Sequence, residues 1–90
     1  MSNTKISKIP TWYIYILKCN DGSFYTGSTN DLVKRLAAHN AGKGGKYTRA
    51  HLPVELLYSE KLADHSSALK REHAIKKLNK EKKLLLVDKK

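Results

Sequence analysis

Residues 13 to 39 read YIYILKCNDGSFYTGSTNDLVKRLAAH, and this stretch decides the fold. Its first residues are apolar or aromatic on both alternating faces, which predicts a central β-strand over residues 11–19 that is covered on both sides. The Asn-Asp-Gly sequence at 20–22 predicts a tight turn, after which the chain returns as a second strand. The stretch therefore predicts a β-hairpin that leads into a helix.

The register of this hairpin has two alternatives. A two-residue loop of Asp21 and Gly22 puts Tyr15 and Tyr25 on opposite faces of the sheet. A three-residue loop with Gly22 in the left-handed region pairs Tyr15 with Gly27 and puts both phenols on one face as diagonal neighbours. We expect the three-residue loop, in which Gly27 leaves room beside the Tyr15 ring.

The next segment predicts a helix that is capped by Thr29 or Asn30 and runs to about Asn40. Arg35 and His39 are four residues apart, so they lie one above the other on the helix. They fall beside the apolar arc and should border the sheet. That expected buried arc consists of Leu32, Val33, Leu36 and Ala37.

A loop rich in glycine and basic residues is predicted over residues 41–53. Lys43, Lys46 and Arg49 are candidates to track a phosphate backbone, and Tyr47 is a candidate to stack on a base. The alternatives are an ordinary solvated loop and a tyrosine that pins the loop to the core.

Three further elements follow this loop. A strand is predicted over residues 54–60, a helix capped by Asp64 over residues up to about 78, and a last helix over residues 80–87 capped by Asn79. In the strand, Leu57 is expected on the face opposite Val54, Leu56 and Tyr58. In the last helix, the expected packing residues are Leu84, Leu85 and Val87.

Glu72 interrupts the apolar face of the second long helix. That face is expected to consist of Ala68, Leu69, Ile75 and Leu78. A carboxylate in this position is unfavourable unless cations or hydrogen-bond donors surround it. Arg35, a metal ion or both could supply the charge, and an internal salt bridge to the neighbouring Arg71 is the simpler alternative.

The composition favours a polyanion as partner. The chain has 90 residues and a formal net charge of +10, which fits one small domain that binds nucleic acid. Cys19 is the single cysteine, so an intrachain disulfide is excluded and a reducing cytoplasm is expected. We expect a disordered basic lead-in over residues 1–10, one domain over residues 11–90, and no membrane segment.

Five residues in order carry a resemblance to a known family. Tyr15 and Tyr25 are ten apart, Arg35 lies ten further on, His39 follows after four, and Glu72 lies on a later helix. With this spacing, the segment from residue 12 to about residue 83 resembles the GIY-YIG nuclease superfamily, most of all its small single-domain members.

Two features depart from the family pattern. The first motif reads Tyr-Ile-Tyr at 13–15 without its glycine, and the second reads Tyr-Thr-Gly at 25–27. Ser28 stands where some relatives carry a lysine, and Asn79 is the candidate for a late asparagine of the superfamily.

The resemblance implies an α+β fold, with a three-stranded antiparallel sheet flanked by helices. It also implies a divalent cation, Mg²⁺ or Mn²⁺, held by Glu72, and an endonuclease that hydrolyses phosphodiester bonds, most simply in DNA. We expect structure-selective or weakly sequence-selective cleavage, or recruitment by a protein partner. The alternatives are a non-catalytic nucleic-acid-binding module on the same fold and a protein-interaction domain.

The resemblance also implies roles for the remaining side chains. Arg35 would clamp the scissile phosphate, and Tyr15 would position or deprotonate the attacking water. A phenol has a pKa near 10, so Arg35 and the metal would have to lower the pKa of Tyr15. His39 would hydrogen-bond a phenol and pass on the proton, and Tyr25 would orient water or phosphate. The division of labour between the two tyrosines and His39 stays open.

Overall fold

Three β-strands form one antiparallel sheet in the computed structural model, which describes residues 11–88. The strands are β1 (Trp12–Lys18), β2 (Phe24–Thr29) and β3 (Glu55–Leu62), and β1 lies between the other two. Both edge strands run antiparallel to β1. The α+β fold is thereby confirmed, while the expected lead-in over residues 1–10 lies outside the described residues.

Four helices connect and cover the strands. They are α1 (Leu32–Asn40), α2 (Lys46–Arg49), α3 (His65–Lys76) and α4 (Lys80–Asp88). The single turn α2 lies in the segment predicted to be loop throughout, so that prediction was wrong for residues 46–49.

Side-chain caps fix where the longer helices begin. Asp31 caps α1 by accepting a hydrogen bond from the Lys34 amide at 3.0 Å, so the expectation of Thr29 or Asn30 was wrong. The Thr29 hydroxyl instead accepts from the Asp31 amide. Asp64 caps α3 and the Asn79 side chain accepts from the amide of Lys82 at the start of α4, as predicted.

The β1–β2 hairpin has the three-residue loop. Cys19 donates its amide to the Ser23 carbonyl, and Gly22 adopts a φ of 87°, in the left-handed region that favours glycine. Tyr15 pairs with Gly27, and Leu17 pairs with Tyr25. Directly paired residues share a face of the sheet, and so do residues two apart in one strand. Tyr15 therefore shares a face with Leu17, and Leu17 with its partner Tyr25, so both tyrosines lie on the same side of the sheet.

Each face of the sheet has its own apolar cluster, as the apolar pattern of β1 predicted. The face under α1 buries Tyr15, Leu17, Cys19 and Val54, and the face under α3 and α4 buries Ile14, Ile16, Tyr58, Ala68 and Ile75.

A bulge in β3 changes the expected faces of that strand. Leu17 pairs with Leu56, whereas the preceding residue, Ile16, pairs with Tyr58. Leu57 is the extra residue, and the residues on either side of it therefore point to opposite faces. Tyr58 and Leu57 both pack in the cluster under α3, so the prediction that Tyr58 shares a face with Val54 was wrong.

Several expected packing residues are instead exposed. Val33 is 81% exposed on α1, and Leu69 is 43% exposed on α3. Ala37 is also exposed. On α4, Leu84 and Leu85 are exposed, and the packing residues are Leu86 and Val87. Within residues 11–88, no helix combines the length and apolar character needed to cross a bilayer.

Candidate active site

A chain of hydrogen bonds runs through the buried layer between β1, α1 and α2. The Tyr15 hydroxyl lies 3.0 Å from His39 Nε2, and His39 Nδ1 lies 2.8 Å from Thr48 Oγ1. His39 and Thr48 are fully buried, and Tyr15 is 2% exposed. The prediction that His39 hydrogen-bonds a phenol is confirmed, whereas Thr48 was missed because it lies in a segment without apolar periodicity.

The direction of these hydrogen bonds follows from which groups can accept. Tyr15 also contacts Arg35 Nε, at 3.4 Å, and a guanidinium can only donate. Among the described neighbours of the Tyr15 hydroxyl, His39 Nε2 is therefore the group that can accept its proton. His39 then carries its proton on Nδ1 and donates it to Thr48, whose hydroxyl turns toward the Gly45 carbonyl at 3.4 Å.

Arg35 is held from two sides. Its Nη2 donates to the Gly44 carbonyl at 3.0 Å, while its Nε points to Tyr15. The Arg35 side chain reaches β1 at Tyr15, so it borders the sheet, as predicted. The guanidinium is thereby oriented with N–H groups left over for an anion.

Two glycines make room for this layer. A Cβ at Gly27 would lie 2.5 Å from the Tyr15 hydroxyl oxygen, and a Cβ at Gly44 would overlap the His39 ring and backbone. Gly27 was predicted to leave this space, whereas Gly44 was recognised only as part of a flexible loop. Both positions therefore require a residue without a side chain.

Tyr25 continues the cluster toward the surface. Its ring centroid lies 6.5 Å from Tyr15 and 5.4 Å from His39. Beyond it, Tyr47 stacks on Tyr25 at 6.4 Å and on His51 at 4.4 Å. The Tyr47 hydroxyl also donates to Ser23 in the hairpin loop, so this tyrosine both pins α2 to the hairpin and keeps an exposed ring.

Glu72 approaches the same edge of the sheet from the opposite face. Its carboxylate accepts hydrogen bonds from Lys76, at 2.8 Å, and from Ser28 in the edge strand β2. The Glu72 side chain is only 13% exposed, and its charge acts on the Tyr15 phenol. Arg35 makes no ion pair with Glu72 in the described part of the chain, so Lys76 is the cation that was missed.

Arg71, the alternative partner of Glu72, belongs to another cluster. Its guanidinium makes two hydrogen bonds, of 2.7 and 2.8 Å, to the Glu60 carboxylate, to which Tyr58 also donates. This ion pair joins α3 to β3. The alternative of an Arg71–Glu72 salt bridge was therefore wrong.

Burial sets the protonation of the hydrogen-bonded pair Tyr15 and His39. It raises the pKa of Tyr15, and the hydrogen bond and charge of Arg35 do not reverse that shift. Burial also lowers the pKa of His39, and Arg35 lowers it further. At neutral pH the pair is therefore a protonated phenol and a neutral imidazole. The lowered pKa that sequence reasoning required of Tyr15 is not produced by Arg35.

The remaining candidates lie outside this buried layer. Lys43, Lys46 and Arg49 are exposed on and before α2. In residues 11–88, no acidic side chain forms an ion pair with any of the three. In sequence they flank Gly44 and Gly45, and the Gly44 carbonyl is the partner of Arg35.

Glu72 fits a divalent cation that takes few protein ligands. Burial raises its pKa, but the hydrogen bonds from Lys76 and Ser28 outweigh burial and leave that pKa below the ordinary value. The carboxylate is therefore ionised at neutral pH. Residues 11–88 contain no group of three or more His, Cys, Asp or Glu side chains placed so that they could hold a metal ion together. This donor set fits Mg²⁺, which keeps several waters and needs one or two carboxylates.

Comparison with known proteins shows the family of the chain. A family model described as the GIY-YIG catalytic domain matches residues 11–84. The chain belongs to the GIY-YIG family. The UPF0213 protein SSP2268 of Staphylococcus saprophyticus is 52% identical over 75 residues, which cover 83% of this chain and 92% of that protein. A UPF0213 protein of Bacillus pumilus is 53% identical over 76 residues, or 84% of this chain and 78% of that protein.

Two solved structures share the fold. The solution NMR structure of the UPF0213 protein BH0048 from Bacillus halodurans matches with a TM-score of 0.58 and 41% identity, over 89% of this chain and 85% of that one. The solution NMR structure of the protein EF2693 from E. faecalis matches with a TM-score of 0.57 and 46% identity, over 84% and 82% of the two chains. As a GIY-YIG family member, the chain carries a nuclease-type domain whose substrate class is nucleic acid.

Proposed function

We propose that this GIY-YIG domain is a divalent-metal-dependent endonuclease that hydrolyses phosphodiester bonds in DNA. The observation that carries the proposal is the meeting of Arg35 and His39 on the Tyr15 hydroxyl, beside a strand edge where Glu72 supplies a carboxylate. A structural core has no need for such a group of polar side chains.

Arg35 is suited to bind the scissile phosphate. One of its nitrogens is fixed by the Gly44 carbonyl and another contacts Tyr15, so a phosphate bound to the remaining N–H groups would lie next to the phenol. A planar guanidinium binds phosphate oxygens with two parallel hydrogen bonds. Arg35 therefore both orients the substrate and stabilises the charge that develops on it.

Tyr15 and His39 form the proton path. As water attacks phosphorus, its proton passes to the Tyr15 oxygen while the phenolic proton passes to His39 Nε2. The new P–O bond forms as the bond to the 3′ oxygen breaks, and that oxygen takes its proton from solvent. This relay needs no free phenolate, which suits the raised pKa of Tyr15. Tyr25 orients the water or the phosphate from the surface side.

Glu72 would hold the metal. A bound Mg²⁺ or Mn²⁺ would neutralise charge on the phosphate and on the leaving oxygen. The ion pair with Lys76 keeps the carboxylate ionised, and Ser28 fixes its direction along the β2 edge. Lys76 is 51% exposed and can turn away from Glu72 toward solvent.

A cleavage panel tests the proposal. Labelled single strands, duplexes, flaps and branched junctions are incubated with Mg²⁺, Mn²⁺ or EDTA. We expect cleavage of at least one substrate with either metal and none with EDTA. Glu72→Ala should abolish this cleavage and still bind DNA, whereas Glu55→Ala, on the far strand β3, should cleave like the wild type. Unchanged cleavage by Glu72→Ala would refute the assignment.

A binding module without catalysis is the second candidate. The observation that favours it is the Lys76 ammonium, which already neutralises Glu72 at 2.8 Å. This candidate predicts salt-dependent DNA binding, with no cleavage of any substrate in the panel by the wild type under either metal. Lys43, Lys46, Tyr47 and Arg49 would serve binding under both candidates.

Selection of the substrate would come from DNA structure or from a protein partner. With strands of a few residues and one turn of helix at the site, we propose structure-selective or weakly sequence-selective cutting. A reducing cytoplasm suits the unpaired buried thiol of Cys19. Repeating the cleavage panel with added fractions of a cell extract tests the need for a partner. A fraction that enables cutting by the wild type, or changes which substrate it cuts, would indicate one.

A further inference from the structure

Four lysines line two open grooves that lead from the candidate active site, past the hairpin end of the sheet, toward α4. An open groove beside Tyr25 is lined by Phe24, Tyr25, Thr26, Tyr47, Lys76 and Lys83. A second open groove shares Phe24 with the first and is lined by Lys18, Gly22, Phe24, Leu57, Lys80 and Leu84. The two grooves thus form one surface that joins the hairpin to α3 and α4; we name its lysines Lys18, Lys76, Lys80 and Lys83 the lysine track.

Lys83 is the most informative member of the track. It is partly buried, and both burial and the charge of Lys76 lower its pKa. In the described part of the chain, no carboxylate lies within ion-pair distance of Lys83. Lys76 and Lys83 line the same groove, and the ion pair with Glu72 neutralises only Lys76. Lys83 therefore leaves positive charge for an external anion to neutralise.

Lys80 is fixed in the second groove, beside the Phe24 ring that the two grooves share. Its ammonium donates to the Gly22 carbonyl at 2.8 Å and lies 4.9 Å from the centre of the Phe24 ring. These contacts join α4 to the hairpin loop, so the charge is held in place rather than spread over solvent. Lys18 lies in the same groove wall.

We propose that the lysine track binds the phosphodiester backbone of the DNA strand on one side of the scissile bond. The ligand class follows from charge complementarity: successive phosphates need a row of separate cations, and the track begins beside Tyr25 and Lys76 at the active site. The Tyr25 ring stacks on Tyr47 of α2, and exposed basic residues lie before and on that helix: Lys43, Lys46 and Arg49. The strand therefore crosses the site between two basic surfaces. The position of the track relative to the scissile bond rests on the proposed function.

Binding without metal tests the track apart from catalysis. A fluorescein-labelled 20-nucleotide DNA, single-stranded and duplex, is titrated with protein in EDTA at several salt concentrations, and anisotropy gives Kd. The double variant Lys80→Gln/Lys83→Gln should weaken binding on the order of tenfold near 0.1 M salt. It should also reduce the slope of log K against log salt by about 1.4–1.8, from two lost phosphate contacts.

The single variant Lys83→Gln should reduce the slope by about 0.7–0.9, from one lost phosphate contact, and it has a matched control that removes one charge elsewhere. Lys61→Gln, on β3 at the opposite edge of the sheet, should leave the salt slope unchanged. An equal loss of slope in Lys61→Gln and Lys83→Gln would overturn the track. A polyglutamate peptide that competes as well as DNA would overturn it in favour of an acidic protein.

The two proposals fail in different ways. A wild type that cleaves DNA with Mn²⁺ while the track variants bind like Lys61→Gln refutes the track alone. If the wild type never cleaves DNA, but the track variants bind DNA more weakly and with a smaller salt slope than the wild type, the nuclease is refuted and the track is supported.

Discussion

Removing the hydroxyl of Thr48 should disorder the centre of the candidate site. Thr48→Val replaces the hydroxyl by a methyl group of similar size, in a helix position where the two residues have similar propensity. The His39 Nδ1–H, which donates to Thr48 Oγ1 at 2.8 Å, then has no acceptor among its described neighbours. Since both residues are fully buried, water cannot take the place of the lost oxygen without repacking.

The size of the effect follows from this burial. Leaving a buried donor unpaired destabilises a protein by about 1–3 kcal/mol. For a domain of this length, each kcal/mol lowers Tm by roughly 4–8 °C. A loss of about 2 kcal/mol therefore lowers Tm by roughly 8–16 °C, which thermal unfolding followed by circular dichroism measures directly.

Thr26 supplies a matched control for the same chemical change. Its side chain is 3% exposed, and its hydroxyl has no hydrogen-bond partner in the described part of the chain. Thr26→Val therefore removes a buried hydroxyl without breaking a bond. We expect its Tm to stay within a few degrees of the wild type or to rise, because an unpaired buried hydroxyl is unfavourable.

The two variants separate the loss of a hydrogen bond from the general effect of replacing a buried threonine by valine. Equal Tm changes in Thr48→Val and Thr26→Val would refute the hydrogen-bond argument. Nitrogen-15 NMR of the imidazole adds a second readout: the wild type should carry the proton of His39 on Nδ1, and Thr48→Ser should keep it there. A proton on Nε2 in the wild type would contradict the relay from Tyr15.

Three further changes test separate parts of the site. Gly27→Ala should push the Tyr15 phenol aside, costing about 1–3 kcal/mol in unfolding and on the order of 10²-fold in cleavage rate; normal cleavage would contradict the contact. Folding lowers the pKa of His39, so unfolding free energy should decrease as pH falls below about 6.5, and urea titrations should show this dependence weakened in His39→Gln. Arg71→Met should lower unfolding free energy on the order of 1 kcal/mol by breaking the Glu60 pair, yet leave cleavage per folded molecule unchanged; a catalytic defect would place Arg71 in the site.

The hairpin could be predicted because its signals are local. Asp21 and Gly22 specify the turn, and the absence of a side chain at Gly27 leaves room for Tyr15 in one register only. The five-residue spacing then identified the family, since Arg35 and His39 fall on one side of a helix that follows directly.

Other features depend on which of several possible contacts the packing of the elements selects. The bulge at Leu57 turns Tyr58 to the face opposite the one that simple alternation gives. The partner of Glu72 proved to be Lys76, one helical turn away, while Arg71 pairs across to β3. Local spacing permitted several of these pairings, and the packing of α3 on the sheet selects among them.

Thr48 and Gly44 show the same limit within the site. Both lie in a glycine-rich segment whose composition predicts a loop, and nothing nearby indicates that it folds back over His39. The buried imidazole itself is the signal: a histidine beside an apolar arc needs partners for two ring nitrogens. The sequence suggested one of them, Tyr15.

The most direct test of the central claim is the single-turnover cleavage rate of Glu72→Gln beside the wild type, on the best substrate of the panel. The isosteric amide keeps the shape of the side chain but removes the charge that would hold a metal. We predict that the wild type cuts with Mg²⁺ or Mn²⁺ and that Glu72→Gln, folded and still binding DNA, does not. Equal metal-dependent rates in the two proteins would contradict the account.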